Sequence, residues 1–213
     1  MRGRGRPVIR GEAIGMSAQS KGEVRLELRA SSKDRSAAER SAGSAALVQH
    51  LLERPEWANA RGILGFHPLA EEPDLRPALR AALHAGKLLA LPRFSPETGL
   101  YQAFLVHDLG SDLVIGRFGV MEPGPGCPQA TINHLDLGLI PGVGFDFAGR
   151  RLGRGGGHYD RLLARFPGLK CGVAFEWQLP VEIPMESHDV PRDCLLTPVG
   201  WRVVQRGGGL RSQ

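Results

Sequence analysis

The feature that most constrains the fold of this 213-residue chain is a buried strand that leads into a glycine-rich loop and then into a helix. Leu137–Ile140 is a short apolar run closed by Pro141 and Gly142, a pattern typical of a central strand. Apolar side chains then recur at i, i+3, i+4 and i+7 from Tyr159, so one helical face is apolar. This succession predicts a helix that packs against a sheet.

Strand and helix patterns alternate elsewhere in the chain as well. Residues 63–66 and 88–91 are apolar strands, and residues 75–83 between them carry a helical stripe, which together predict a right-handed βαβ unit. Residues 172–175 and 194–197 are two further apolar strands. Alternation of this kind favours a single α/β domain with a mostly parallel sheet that is covered on both faces. We expect this domain to span residues 20–204.

Two helices are predicted before the first strand. Ser20 can cap a helix that begins at Lys21, and this helix places Lys21 and Arg25 one turn apart on the same side. Such a pair of cations is ordinarily a solvated face. Ser36 and Glu39 form a capping box that opens a second helix, which we expect to be ended by the proline at position 55.

Charge and cysteine usage limit the class of protein. The formal net charge of +5 favours an anionic partner, either nucleic acid or a phosphorylated small molecule. No apolar run approaches the roughly 20 residues that span a bilayer, and no apolar signal segment follows the basic N-terminus. The three cysteines lie far apart without a CxxC pair, which favours reduced thiols in a cytoplasmic protein.

Both ends of the chain have the composition of tails. Residues 1–19 place four arginines among glycines without apolar periodicity, so we expect a disordered basic tail there and a frayed tail over residues 205–213. Residues 4–7, RGRP, have the core pattern of an AT-hook, in which arginines flank a DNA minor groove. Nucleic-acid binding is therefore one alternative function, and deletion of residues 1–19 would abolish it.

The glycine loop (residues 153–157, GRGGG) is a candidate phosphate site. Glycines let the backbone approach phosphate oxygens closely, and N–H groups at the start of the following helix attract anions. Arg151 and Arg154 add fork-shaped donors, and Asp160 is placed to hold a divalent cation. A dinucleotide fingerprint and a Walker lysine are both missing. The alternative is a tight turn that ends in a helix cap.

Residues 151–161, RLGRGGGHYDR, resemble the signature of the 5-formyltetrahydrofolate cyclo-ligase family, also called 5,10-methenyltetrahydrofolate synthetases. The likeness continues through residues 141–146 upstream. The remaining motifs are Lys21 with Arg25, Glu72, Gly86-Lys87, Leu91-Pro92-Arg93, Glu122-Pro123 and His188-Asp189-Val190-Pro191. Together they cover roughly residues 20–198 in the family's order and spacing.

The resemblance implies a three-layer α/β/α fold and an ATP-dependent reaction, and we expect a monomeric, cytoplasmic enzyme. ATP, Mg²⁺ and 5-formyltetrahydrofolate would give 5,10-methenyltetrahydrofolate, ADP and phosphate. A formamide oxygen is a poor leaving group, so transfer of the γ-phosphoryl group lets it depart as phosphate after N10 attacks the activated carbon. The protein would position the two ligands and neutralise charge during the transfer.

The resemblance also assigns roles to individual residues. ATP would be bound from the first helix and the glycine loop by Lys21, Arg25, Arg151, Leu152, Gly153, Arg154, Gly155, Gly156, Gly157, His158 and Tyr159. The folate substrate would be contacted by Arg25, His67, Glu72, Arg154 and His158. Arg154, His158 and Tyr159 would act in catalysis, and Asp160 and Asp189 would bind Mg²⁺.

Three positions depart from the family pattern. Gly156 stands where some relatives carry a lysine, His158 where tyrosine is common, and Leu75 where some relatives carry threonine. The departures affect a phosphate contact, a substrate contact and a secondary folate contact, and they spare Arg154 and Asp160. A non-catalytic member of the same fold that keeps the nucleotide site is therefore a second alternative.

Overall fold

The computed structural model describes residues 19–180, 182–184 and 190–205. Within these ranges the chain forms strands that we number in chain order. They are β1 (Gly62–Leu64), β2 (Leu88–Ser95), β3 (Leu100–Leu105), β4 (Leu113–Ile115), β5 (Met121–Pro123), β6 (Leu137–Ile140), β7 (Gly144–Phe145), β8 (Arg151–Leu152), β9 (Leu169–Val173), β10 (Cys194–Thr197) and β11 (Gly200–Val203).

Seven of these strands form the central sheet, in the order β11-β10-β9-β6-β1-β2-β3. The five inner strands run parallel, while β3 pairs antiparallel with β2 and β11 pairs antiparallel with β10. Both edge strands follow their neighbours through short turns, and a short turn can only join antiparallel strands. The prediction of a mostly parallel sheet is confirmed.

The described helices are α1 (Lys21–Lys33), α2 (Ala37–Leu52), α3 (Pro55–Asn59), α4 (Arg76–His84) and α5 (His158–Ala164). Ser20 and Ser36 both close the capping boxes that the sequence predicted. α2 ends at Leu52, before Pro55 as predicted, and Pro55 also begins α3, where the missing N–H costs no helical hydrogen bond. None of the helices in the described ranges is long and apolar enough to cross a membrane.

Helices cover both faces of the sheet. On one face, Leu47 of α2 and Leu79 of α4 belong to the same apolar core as Ile63 of β1. On the other face, Leu163 of α5 packs in a second core with Leu64 of β1. Ile63 and Leu64 point to opposite cores because side chains alternate along a strand. The arrangement confirms the predicted three-layer α/β/α fold.

Two small antiparallel hairpins lie outside the central sheet, and the sequence patterns did not predict them. β4 pairs with β5, and β7 pairs with β8 through Gly144 opposite Leu152 and Phe145 opposite Arg151. Strands of two or three residues are too short to show a period, which is why the sequence gives no sign of them. The β7–β8 hairpin matters for function because the glycine loop begins where β8 ends.

Candidate active site

The glycine loop sits at the carboxyl end of the parallel sheet, where open α/β folds bind their ligands. β6 ends at Ile140, and the β7–β8 hairpin then folds back so that residue 151 lies beside the end of that strand. Arg151 fixes this arrangement, because its Nε donates to the carbonyl oxygen of Pro141 at 2.7 Å. α5 begins directly after the loop at His158.

Two glycines of the loop adopt backbone conformations that other residues rarely take. Gly155 has φ 113° and Gly157 has φ 62°, both in the left-handed region. A Cβ atom at either position would meet no atom within 4 Å. Glycine is therefore required at these positions by the backbone conformation and not by crowding from neighbouring atoms. The space beside the loop is open, which favours a binding loop over a packed turn.

Helix α1 reaches the glycine loop directly. Arg25 donates from Nε to the carbonyl oxygen of Gly153 at 2.8 Å. Val24 and Leu28 bury the apolar face of the helix in a small core that includes Leu152. Arg25 is therefore held at the loop although 128 residues separate it from Gly153.

Arg154 connects the glycine loop to the loop that follows β1. Its Nη2 lies 2.6 Å from Oε1 of Glu71 and 3.7 Å from Oε1 of Glu72. The Arg154 and Glu71 side chains are each about half exposed, at 49% and 51%. Ion pairs this exposed contribute only about 0–1 kcal/mol, so an anionic ligand can displace Glu71 from Arg154 at little cost.

Glu72 is the buried member of this acidic pair. Only 8% of its side chain is exposed, and one carboxylate oxygen accepts the Leu69 N–H at 3.1 Å. Burial raises the pKa of Glu72 above that of an ordinary glutamate. The same side chain lines a cavity of about 650 Å³ between α2 and the loop after β1, a volume in the range of small-molecule sites.

Behind the loop, Asp160 lies between two arginines. Its Oδ2 accepts from Nη1 of Arg151 at 2.9 Å, and its Oδ1 lies 3.6 Å from Nη2 of Arg192. The Arg151 and Asp160 side chains are 8% and 12% exposed, and Arg192 is fully buried. Burial, and then the nearby charge of Arg151, lower the pKa of Arg192 to about 10. Arg192 is therefore still a cation at neutral pH.

Aromatic rings form a wall beside these charges. The ring of Tyr101 lies 6.1 Å from that of Tyr159 and 5.7 Å from that of Phe94. The Arg151 guanidinium lies 5.1 Å from the Tyr159 ring centroid. Burial raises the pKa of Tyr159, so its hydroxyl keeps its proton at neutral pH. This hydroxyl has no hydrogen-bond partner among the described residues, and it can donate to a ligand.

The other predicted site residues are placed less directly. His67 is half-buried in the loop after β1, and burial lowers its pKa. Across the described chain, we find no hydrogen bond or ion pair between His67 and the glycine loop. Asp189 lies outside the described residues, and the side chain of His158 is not described. Their assigned roles stay predictions.

The described side chains supply part of a possible magnesium site. No group of three or more His, Cys, Asp or Glu side chains that could hold a metal occurs within the described ranges. Mg²⁺ is commonly held by one or two carboxylates together with the phosphates of a nucleotide, so a full protein cage is not required. Oδ1 of Asp160 makes no hydrogen bond to a described residue, and its donor chemistry fits Mg²⁺.

Comparisons with known proteins show which family this chain resembles. A profile of the 5-formyltetrahydrofolate cyclo-ligase family matches residues 17–198. The 5-formyltetrahydrofolate cyclo-ligase of Haemophilus influenzae is 28% identical over 180 residues, which cover 83% of this chain and 96% of that relative. The Escherichia coli enzyme of the same name is 32% identical over 152 residues, which cover 70% and 84%.

A solved structure matches the fold as well. The NMR structure of the Aquifex aeolicus 5,10-methenyltetrahydrofolate synthetase has a TM-score of 0.78 and 33% sequence identity to this chain. The match covers 91% of this chain and 97% of that one. The fold, the site and these relatives define an α/β enzyme of the ligase class. The chain belongs to the 5-formyltetrahydrofolate cyclo-ligase family, as its sequence motifs indicated.

The structure adds residues to the site that sequence reasoning did not select. Glu71 is the direct partner of Arg154, Tyr101 extends the aromatic wall, and Arg192 faces Asp160. The acidic pair at positions 71 and 72 was a usable signal for Glu71. Neither Tyr101 nor Arg192 lies in a pattern that distinguishes it from an ordinary strand or loop residue.

Proposed function

We propose that this protein converts 5-formyltetrahydrofolate to 5,10-methenyltetrahydrofolate, with ATP hydrolysed to ADP and phosphate. The observation that carries the proposal is the meeting of three distant segments at the glycine loop. Arg25 comes from α1, Arg154 from the loop itself and Glu72 from the loop after β1. The family match supports cyclo-ligase activity.

The glycine loop and its arginines would hold the triphosphate. The open backbone of Gly155 and Gly157 offers N–H groups without a side chain in the way. Arg154, held by the half-exposed carboxylate of Glu71 and, at 3.7 Å, by that of Glu72, is available to move to a phosphate. Lys21 and Arg25 would add positive charge from the first turns of α1. Leu152, Gly153 and Gly156 complete the same segment.

The folate would lie on the side of Glu72. The buried carboxylate of Glu72 can accept hydrogen bonds from ring N–H groups of a pterin, and the cavity beside it offers room for a ligand. Tyr159 would close the other side with its protonated hydroxyl. His67, Arg25 and His158 are the remaining proposed contacts of the substrate.

In the reaction, the formyl oxygen attacks the γ-phosphorus and ADP leaves. N10 then attacks the activated carbon and gives up its proton, and the C–O bond breaks as phosphate departs with the oxygen and that proton. Arg154 would orient and neutralise the transferred group, with His158 and Tyr159 beside it. When bound at Asp160 and Asp189, Mg²⁺ would supply further neutralisation of phosphate charge.

The test is a turnover assay on the purified protein. Incubation with 5-formyltetrahydrofolate, ATP and Mg²⁺ should produce the near-ultraviolet absorbance of methenyltetrahydrofolate, together with one ADP for each product molecule. Protein that is folded and binds ATP but forms no product would refute the proposal. Calorimetry that detects ATP binding without folate binding would instead favour the non-catalytic alternative.

A further inference from the structure

Arg192 is anchored at a fixed position behind the glycine loop. Its backbone N–H donates to the carbonyl oxygen of Gly149 at 2.8 Å. Gly149 has φ 78°, and a Cβ atom at this position would lie 2.7 Å from the carbonyl oxygen of Arg192. The two backbones therefore approach more closely than other residues allow. This contact joins the segment before β10 to the turn before β8.

The side chain of Arg192 makes few of the contacts that a buried guanidinium needs. It is 0% exposed, and it is the largest of the fully buried side chains. Nη2 donates to the carbonyl oxygen of Val190, while Nε and Nη1 have no hydrogen-bond partner among the residues that the structure describes. A buried cation that is incompletely bonded is costly to the fold. Stability alone does not explain an arginine here.

The charge balance around Asp160 gives Arg192 a function. Arg151 and Arg192 carry two positive charges beside the one negative charge of Asp160, and the carboxylates of Glu72 and Asp193 lie near Arg151 and Arg192 as well. Each carboxylate oxygen of Asp160 faces a different guanidinium. Loss of Arg192 would remove one positive charge from this cluster. A positive charge in a poorly solvated cluster attracts an anion more strongly than the same charge in water.

We propose that Arg192 is a positioning residue, which acts through Asp160 to hold Arg151 in place and adds positive charge at the base of the glycine loop, where it would favour a nucleotide polyphosphate. The inference rests on the proposed function, because the polyphosphate is the triphosphate of the ATP that the loop would bind. Arg192 does not touch the ligand itself. Its effect is on the affinity of the loop for phosphate.

The experiment compares ATP binding and stability in variants of the full chain. Arg192→Met should raise the Kd for ATP about tenfold, as expected for loss of one nearby unit charge, and its unfolding temperature is measured alongside. Arg192→Lys, which keeps the charge, should restore most of the affinity. Arg202→Met is the matched control, because Arg202 is an exposed arginine over the ring of Phe147 and should leave both values unchanged.

A double variant tests the route through Asp160. The effects of Arg192→Met and Asp160→Asn on the Kd for ATP should not be additive if the two residues act together. The proposal is wrong if Arg192→Met lowers the unfolding temperature and leaves the Kd unchanged, or if the two effects add. Should Arg192→Met not fold, a tenfold loss of affinity in Arg192→Lys would overturn the charge argument. Calorimetry measures ATP binding without turnover. Failure of the Arg192 proposal can therefore be distinguished from failure of the proposed reaction.

Discussion

The docking of α1 on the β7–β8 hairpin should control the nucleotide site, and Gly144 offers a direct test. A Cβ atom at Gly144 would lie 2.4 Å from Cδ1 of Leu28 in α1 and 2.9 Å from the carbonyl oxygen of Gln178. Neither distance is compatible with normal packing. Gly144→Ala must therefore shift Leu28 or the Gln178 backbone, and we expect α1 to move away from the hairpin so that the 2.8 Å hydrogen bond from Arg25 to the glycine loop weakens.

The size of the effect follows from these contacts. Overpacking a tight site costs about 1–3 kcal/mol, and at this chain length each kcal/mol lowers the unfolding temperature by about 2–4 °C. We therefore expect Gly144→Ala to unfold roughly 2–12 °C below the parent and to bind ATP more weakly. Leu28→Val removes the colliding methyl group, so the double variant should recover part of both losses. Thermal unfolding and calorimetric ATP titration measure the two quantities.

Gly126→Ala is the matched control for this test. A Cβ atom at Gly126 would meet no atom within 4 Å, so both stability and ATP affinity should stay at the parent values. If Gly144→Ala loses stability while the Kd for ATP is unchanged, α1 is not part of the nucleotide site. If Leu28→Val fails to relieve the loss, the assumed collision is not its cause.

Three further changes have separable outcomes. Arg154→Ala should lower kcat about 100-fold with little change in unfolding temperature, whereas the exposed Arg161→Ala should leave both unchanged. Burial raises the pKa of Glu122, so ionisation of this side chain destabilises the fold. In urea unfolding, Glu122→Gln should match the stability of the parent at low pH. As the pH rises through the raised pKa, the variant should become progressively more stable than the parent. Gly157→Ala should lower the free energy of unfolding by about 1–2 kcal/mol in the same urea assay, because φ 62° is strained for alanine. An unchanged urea midpoint would refute this backbone conformation at Gly157.

The starts of α1 and α2 could be predicted because the residues that cap each helix are close together in the sequence. Ser20 and Ser36 accept hydrogen bonds from backbone groups only three residues away, so the sequence contains both partners of each capping box. The bounds of β10 were also predicted as residues 194–197, because three buried apolar residues precede a buried threonine. The end of β2 was predicted too early, since it is determined by pairing with β3 up to Ser95.

The glycine loop was predicted to be a phosphate site from its own residues. Which donors are available at the loop could not be predicted in the same way. Arg151 and Arg154 look equivalent in the sequence. In the structure, Arg151 is buried and bonded to Pro141 and Asp160, whereas Arg154 is half exposed and held by a surface carboxylate. Only the second is readily available to a ligand. Burial and pairing depend on segments far away in the chain, which a local pattern does not contain.

The sequence alone therefore determined the class of fold and predicted the location of the chemistry. Alternating periodicity, capping boxes and the glycine loop arise from residues close together in the chain, and the motifs around them indicated the family. Tertiary structure alone decided that Arg25, Glu71 and Glu72 meet at this loop. It also decided that Arg192 is buried beside Asp160. Long-range ion pairs and burial exist only after the sheet has brought distant loops to one edge.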